Sequence, residues 1–217
     1  MNTPHPHTVH PTHTTPPPTA DARRLRHTCA TIAHAVLPPP VHAHVGDITL
    51  HPHQRDAAAR LLSILAQHRV ALLADDVGLG KTYAALAVAT HYAHVDIVAP
   101  ATLLPMWRSA IAATGATPHA LISLHRFSHH AIDIPPTSSG RRLVIIDEAH
   151  HLRARTTRRY HAIAQHVVGA HVLLVSATPL HNRRADPSAL FALTMGEHAP
   201  RTTAELAPLI VRHTHHD

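Results

Sequence analysis

Val70-Ala71-Leu72-Leu73-Ala74-Asp75-Asp76-Val77-Gly78-Leu79-Gly80-Lys81-Thr82 decides how this chain is read. A short apolar run leads into a glycine-rich turn, and a helix-like stretch follows from Tyr83. Lys81 is the one lysine among 19 Lys+Arg residues; every other cation of that set is arginine. An ammonium on a flexible stem reaches between phosphate oxygens as a point charge, which a planar guanidinium does not do. Gly-x-Gly-Lys-Thr between a strand and a helix is a phosphate-binding loop in its expected setting. Loop and helix N-terminal amides supply the anion site, and the Thr82 hydroxyl is placed to ligate Mg²⁺.

Outward from this loop, apolar runs predict strands over 70–74, 95–99, 120–124, 143–146 and 172–175. They are short and continuous, as strands buried on both faces are. Helical spacing predicts helices over 53–67, 81–92, 103–113, 157–166 and 187–194. The alternation implies an α/β fold: an open parallel sheet with helices on both faces and ligands at the carboxyl ends of its strands. Residues 1–21, rich in Pro, Thr and His, are expected to be a disordered tail. Residues 22–46 read as a lead-in segment, with a short helix over 22–37 that Pro38-Pro39-Pro40 ends and an extended stretch over 41–50. The α/β domain that carries the phosphate loop is expected over 47–217, with 135–140 as a loop inside it.

Composition sets outer bounds. The 217 residues accommodate one α/β domain whose core, with aromatics at 3%, is built from Ala, Val, Leu and Ile. A formal net charge of +6 favours a polyanionic partner. The single Cys29 excludes an internal disulfide. The 27 histidines are spread through all predicted elements and read as compositional bias rather than a metal centre. No run reaches the roughly 18 apolar residues of a membrane span, and Arg26 and His27 break what would be a signal region, so a cytoplasmic protein is expected.

The second motif is Leu143-Val144-Ile145-Ile146-Asp147-Glu148-Ala149-His150, a strand that ends in two carboxylates. Beside a phosphate loop, the first carboxylate holds Mg²⁺ and the second orients and deprotonates water. Asp147 takes the metal role and Glu148 the base role.

With these two motifs the chain resembles the superfamily 2 helicases, and more closely their Swi/Snf-type branch. Leu50-His51-Pro52-His53-Gln54-Arg55 is similar to the upstream glutamine motif, whose glutamine reads adenine in that family. The segments from Ile97 to Trp107 and from Ile122 to Phe127 resemble motifs Ia and Ib, and Leu173 to Arg183 resembles motif III. The family loop reads Asp-Glu-Met-Gly-Leu-Gly-Lys-Thr; Asp76 stands here for its glutamate.

The resemblance implies a RecA-like lobe that binds ATP and Mg²⁺. Gln54, Asp75, Asp76, Val77, Gly78, Leu79, Gly80, Lys81 and Thr82 would contact the nucleotide. His150, Ser176, Ala177 and Thr178 would couple its state to DNA. Thr102, Arg108, Ser123, His125 and Arg126 would contact double-stranded DNA through backbone phosphates, without reading sequence. Trp107 is expected to pack rather than stack on a base. Arg153, Arg155, Arg158 and Arg159 read as a solvated helix start or a phosphate contact. Residues 209–217 resemble the segment that closes the first lobe, and the family's second RecA-like lobe does not follow. ATPase activity is therefore expected only with that lobe supplied, in trans or otherwise. A non-hydrolysing nucleotide-binding module, a gene remnant and an RNA helicase lobe are the alternatives.

Overall fold

The extended stretch expected over 41–50 folds back on itself as a hairpin, β1 (His44–Val45) and β2 (Ile48–Thr49). Gly46 turns it with φ 57°, and a Cβ there would collide with the Thr114 carbonyl. This is a correction to the sequence reading, in which two-residue strands leave no periodicity. The chain is described here from a computed structural model over residues 40–129, 141–177 and 188–214. The expected tail, the helix over 22–37 and the loop over 135–140 lie outside those residues.

All five predicted strands form: β3 (Val70–Leu73), β4 (His94–Ala99), β5 (Ala120–Ser123), β6 (Arg142–Ile146) and β7 (His171–Val175). A sixth, β8 (Ile210–Val211), was not expected; it pairs in parallel with β3, Leu72 opposite Ile210. The sheet order is β5-β4-β6-β7-β3-β8, parallel throughout.

Helix α1 (Pro52–His68) starts with Pro52 in its first turn, where a missing N–H costs nothing. It ends at Arg69, which takes the left-handed conformation at φ 63°. Helix α2 (Lys81–Ala89) stops three residues before the expected end, since Thr90 Oγ1 donates to the Ala87 carbonyl at 2.7 Å. A 3₁₀ turn (Ala101–Leu103) precedes α3 (Leu104–Thr114), which Gly115 terminates at φ 62°. A single turn, α4 (Arg126–His129), was not expected. Then come α5 (Arg158–His166), α6 (Ser188–Met195) and α7 (Thr203–Leu206). Thr157 caps α5, its Oγ1 accepting the Tyr160 N–H at 3.2 Å.

Strand residues alternate between two apolar layers. Ala71, Leu73, Ile97 and Ile145 pack with Leu61, Leu86 and Trp107 of α1, α2 and α3. Val70, Leu72, Val144 and Ile146 pack with Ile163, Leu190 and Phe191 of α5 and α6. Both faces of the sheet are covered, which is why its strands read as unbroken apolar runs. Among the described residues no helix is long and apolar enough to cross a membrane.

A buried carboxylate crosses into this core on β4. Asp96 on β4 is 1% exposed. Its Oδ2 accepts Arg142 Nε at 3.1 Å and Nη2 at 2.6 Å, with His166 Nε2 at 3.3 Å. Burial alone would raise its pKa, but the hydrogen bonds from His166 and Arg142 outweigh that and bring it from 3.8 to about 2. A carboxylate so depressed stabilises the fold above its unfolded pKa, and that stability is lost as pH falls through the folded value. Asp96→Asn should therefore lower stability at pH 7 and flatten the loss between pH 3.8 and about 2. Urea denaturation across that range measures it; an unchanged acid slope contradicts the assignment.

Candidate nucleotide-binding site

Strands β6, β7 and β3 lie side by side, so the segments leaving their carboxyl ends share one edge of the sheet. Those segments are the two-carboxylate motif, the Ser176 motif and the glycine-rich loop. Within the loop, Gly78 and Gly80 hold φ 89° and 75°. Gly80 also faces Gln54, whose Nε2 would collide with any Cβ at that position. Helix α2 begins at Lys81, so its first amides turn toward the loop.

The Lys81 ammonium donates to the carbonyls of Asp75 and Asp76, both at 2.9 Å. Burial holds its pKa below the usual lysine value, and the carboxylates of Asp75, Asp147, Glu148 and Asp76 oppose that shift. With Thr82, Asp147 and Glu148, it lines a cavity of about 610 Å³. Gly78, Gly80, Val77 and Ala177 complete much of its wall.

Asp147 is 7% exposed at the end of β6. Its backbone N–H donates to Val98 O at 2.8 Å, which fixes the chain where it leaves the sheet. Its Oδ1 accepts the Glu148 N–H at 2.9 Å and its Oδ2 accepts Trp107 Nε1–H at 2.8 Å. Burial pushes its pKa up, and the Trp107 and Glu148 hydrogen bonds pull against it. Trp107 is fully buried, consistent with packing; its bond to Asp147 is a contact at the candidate site that sequence reasoning missed. No local signal announces it, because the partners are 40 residues apart.

Glu148 adopts φ 49°, ψ 46°, a left-handed conformation that non-glycine residues seldom take. Such strain, of order 1–3 kcal/mol, collects at functional sites. His150 Nδ1 lies 2.9 Å from Glu148 Oε2 and 3.5 Å from Ser176 Oγ. These contacts join the segments after β6 and β7. Ala177 is on the cavity wall, and Thr178 lies outside the described residues.

Gln54 is 5% exposed and adjoins a second cavity of about 370 Å³ beside the loop, with Leu79 and Tyr83. Its Nε2 donates to Leu79 O at 3.1 Å and its Oε1 accepts the His51 N–H at 3.0 Å. The His51 and His53 rings stack there, 5.6 Å apart and 8° from parallel, a pair of aromatic surfaces that the glutamine motif alone did not flag. The side chains of Asp75 and Asp76 turn elsewhere: Asp75 to His213, Asp76 to Arg212 at 3.7 Å.

The other half of the sheet carries the nucleic-acid candidates. Thr102 after β4 and His125 after β5 share a cavity of about 310 Å³ with His151 and Arg159. Ser123 Oγ accepts the His125 N–H at 3.3 Å. Arg126 is exposed on α4, and Arg108 is exposed on α3, outside that cavity's lining. The arginine run divides: Arg159 Nε donates to Ser128 Oγ at 2.9 Å and Arg155 Nη2 to Ser188 O at 3.3 Å.

Residues 117–200 match the SNF2-related domain family. The fold is that of the SWI2/SNF2 ATPase core of Sulfolobus solfataricus solved with double-stranded DNA: TM-score 0.67, 16% identity, 82% of this chain and 47% of that one. Over residues 117–200 the chain is thus similar to an SNF2-related domain, on a fold shared with a SWI2/SNF2 ATPase core.

Among curated relatives, the uncharacterized ATP-dependent helicase YqhH of Bacillus subtilis is 30% identical over 153 residues, 61% of this chain and 27% of that protein. Protein CHROMATIN REMODELING 24 of Arabidopsis thaliana is 25% identical over 183 residues, 65% of this chain and 17% of that protein. The chain thus spans about a quarter or less of the length of these relatives. The relatives include a chromatin remodeler by name.

Proposed function

We propose that this lobe, over residues 47–217, binds ATP with Mg²⁺ and forms the nucleotide-holding half of a DNA-dependent translocase. The observation that carries the proposal is that Lys81, Thr82, Asp147 and Glu148, from two distant stretches of sequence, line one cavity. On nucleotide binding, the Lys81 ammonium exchanges the Asp75 and Asp76 carbonyls for phosphate oxygens. The loop glycines let the backbone approach those oxygens, and the first amides of α2 face them.

The Thr82 hydroxyl and the Asp147 carboxylate are hard oxygen donors on the same cavity, a set that suits Mg²⁺. Bound there, the ion would neutralise charge on the β- and γ-phosphate oxygens. Trp107 holds the Asp147 carboxylate in one orientation. Glu148 takes the proton of the attacking water, and His150 steadies its carboxylate while touching Ser176. Motion of the γ-phosphate at Glu148 thus reaches the segment after β7 through one imidazole.

Hydrolysis at a useful rate requires a second RecA-like lobe closing over this edge. Among the described residues lining the cavity there is no arginine to meet the γ-phosphate. DNA lies over the carboxyl ends of β4 and β5, where Thr102, Ser123, His125, Arg126 and Arg108 contact backbone phosphates.

Binding through phosphates releases counterions, so affinity should fall about 10-fold or more between roughly 50 and 200 mM salt. Fluorescence anisotropy with duplexes of two unrelated sequences checks this. Salt-independent binding, or strong preference for one sequence, contradicts it.

A further inference from the structure

The carboxylate that opens the phosphate loop is occupied by a residue 138 positions away in sequence. Asp75 is 1% exposed. Its Oδ1 accepts the His213 backbone N–H at 2.7 Å and faces His213 Nδ1 at 3.0 Å. Its Oδ2 is buried with no hydrogen-bond partner among the described residues. An ionised carboxylate in that position depends on its few donors, because burial removes water as a substitute. Here both of its side-chain hydrogen bonds come from His213.

The backbone ties the same two segments together. The Ala74 N–H donates to Val211 O at 2.8 Å and the Asp76 N–H to His213 O at 3.2 Å. The Arg212 guanidinium stands 3.7 Å from Asp76 Oδ1. On its other side, the His213 ring sets Nε2 3.4 Å from Asp56 Oδ2 of α1. His213, just past β8, therefore bridges α1 and the loop.

Asp75 and Asp76 are also the residues whose carbonyls accept the Lys81 ammonium, both at 2.9 Å. The carbonyls that receive the lysine are thus set by peptides whose side chains and amides are gripped from behind by residues 211–213.

We infer that the Asp75–His213 contact is a latch that sets the phosphate loop for nucleotide binding and links Lys81 to the segment leaving β8, which makes His213 a positioning residue. The inference rests on the reading of Lys81 as a phosphate ligand. A loop held in its working geometry loses less conformational freedom on binding, so the latch contributes affinity without touching the nucleotide. The transmission also runs outward. When Lys81 leaves its two carbonyls for phosphate, the peptide that carries the Asp75 carbonyl readjusts, and the N–H of that same peptide, on Asp76, is hydrogen-bonded to His213 O.

The test uses the 217-residue chain with ATP and Mg²⁺ as probe. Calorimetry is run on wild type, Lys81→Ala, His213→Ala, His213→Asn and Asp75→Asn. His213→Ala should weaken ATP binding about 10-fold, the scale of one charge-assisted hydrogen bond. His213→Asn should recover most of that loss, since its amide N–H₂ replaces the Nδ1–H donor. Hydrogen exchange of the Asp76 and His213 amides should change on ATP addition in wild type and stay unchanged in Lys81→Ala.

His213→Ala binding ATP as tightly as wild type overturns the latch while leaving Lys81 as the ligand. Equal losses in His213→Ala and His213→Asn assign His213 a merely structural role and also overturn it. Should His213→Ala not fold, Asp75→Asn replaces it: it keeps an acceptor for the backbone N–H but loses the charge, and unchanged affinity there overturns the latch equally. Wild type that binds no ATP removes the nucleotide reading itself, and the latch with it.

Discussion

Supplying a matching second RecA-like lobe should raise ATP hydrolysis by these 217 residues about 10³–10⁵-fold. The expectation follows from the geometry of the edge that carries the site. The glycine-rich loop, Glu148 and Ser176 all leave the carboxyl ends of adjoining strands, so they form one wall of a cleft. Lys81 is the cation on that wall, and no arginine lines it among the described residues. The charge that develops on a γ-phosphoryl group in the transition state needs a cation from the facing side. The measurement is steady-state phosphate release with duplex DNA, with and without a second-lobe polypeptide. Glu148→Gln should abolish the gain, because the amide no longer takes a proton from water. Turnover near 1 s⁻¹ without any second lobe, lost in Glu148→Gln, contradicts this account.

The second large effect is at Lys81. Lys81→Ala should lower ATP affinity at least about 100-fold, the scale of losing a charged, partly desolvated contact to phosphate. The fold should survive. Lys81 sits on the loop side of α2, and its two hydrogen-bond acceptors, the Asp75 and Asp76 carbonyls, are next to the surface cavity rather than in either apolar layer. Lys81→Arg should recover little, since a planar guanidinium does not fit the point-charge position. Thermal unfolding within a few degrees of wild type would accompany the loss. Collapse of the fold in Lys81→Ala would instead assign the lysine a structural role.

How much of this was legible before the structure depends on the range of the interactions. Strands β3, β4, β5, β6 and β7 were readable to within a residue or so, because burial on both faces writes each as a continuous apolar run. The loop was readable because its glycines and lysine are adjacent in sequence. Strand β8 was not: two residues carry no period, and its pairing with β3 is decided 138 residues from Leu72, opposite Ile210. The same holds for the contact of Trp107 with Asp147 and of His213 with Asp75. Trp107 read as core, and the structure adds the hydrogen bond that makes it part of the site. Asp75 read as a nucleotide contact by resemblance, and its carboxylate accepts from His213, just past β8. His151 and Arg159 share a cavity with Thr102 and His125 only because β4, β5 and β6 bring three segments to one edge and α5 lies beside them.

The central claim is that this lobe holds ATP through the loop around Lys81. Titration of ATP into the wild-type chain by calorimetry, with Mg²⁺ and then with a chelator, tests it most directly. The account predicts one saturable site per chain, weakened when the metal is removed and lost in Lys81→Ala. No saturable binding by the wild type, or equal affinity in wild type and Lys81→Ala, contradicts it.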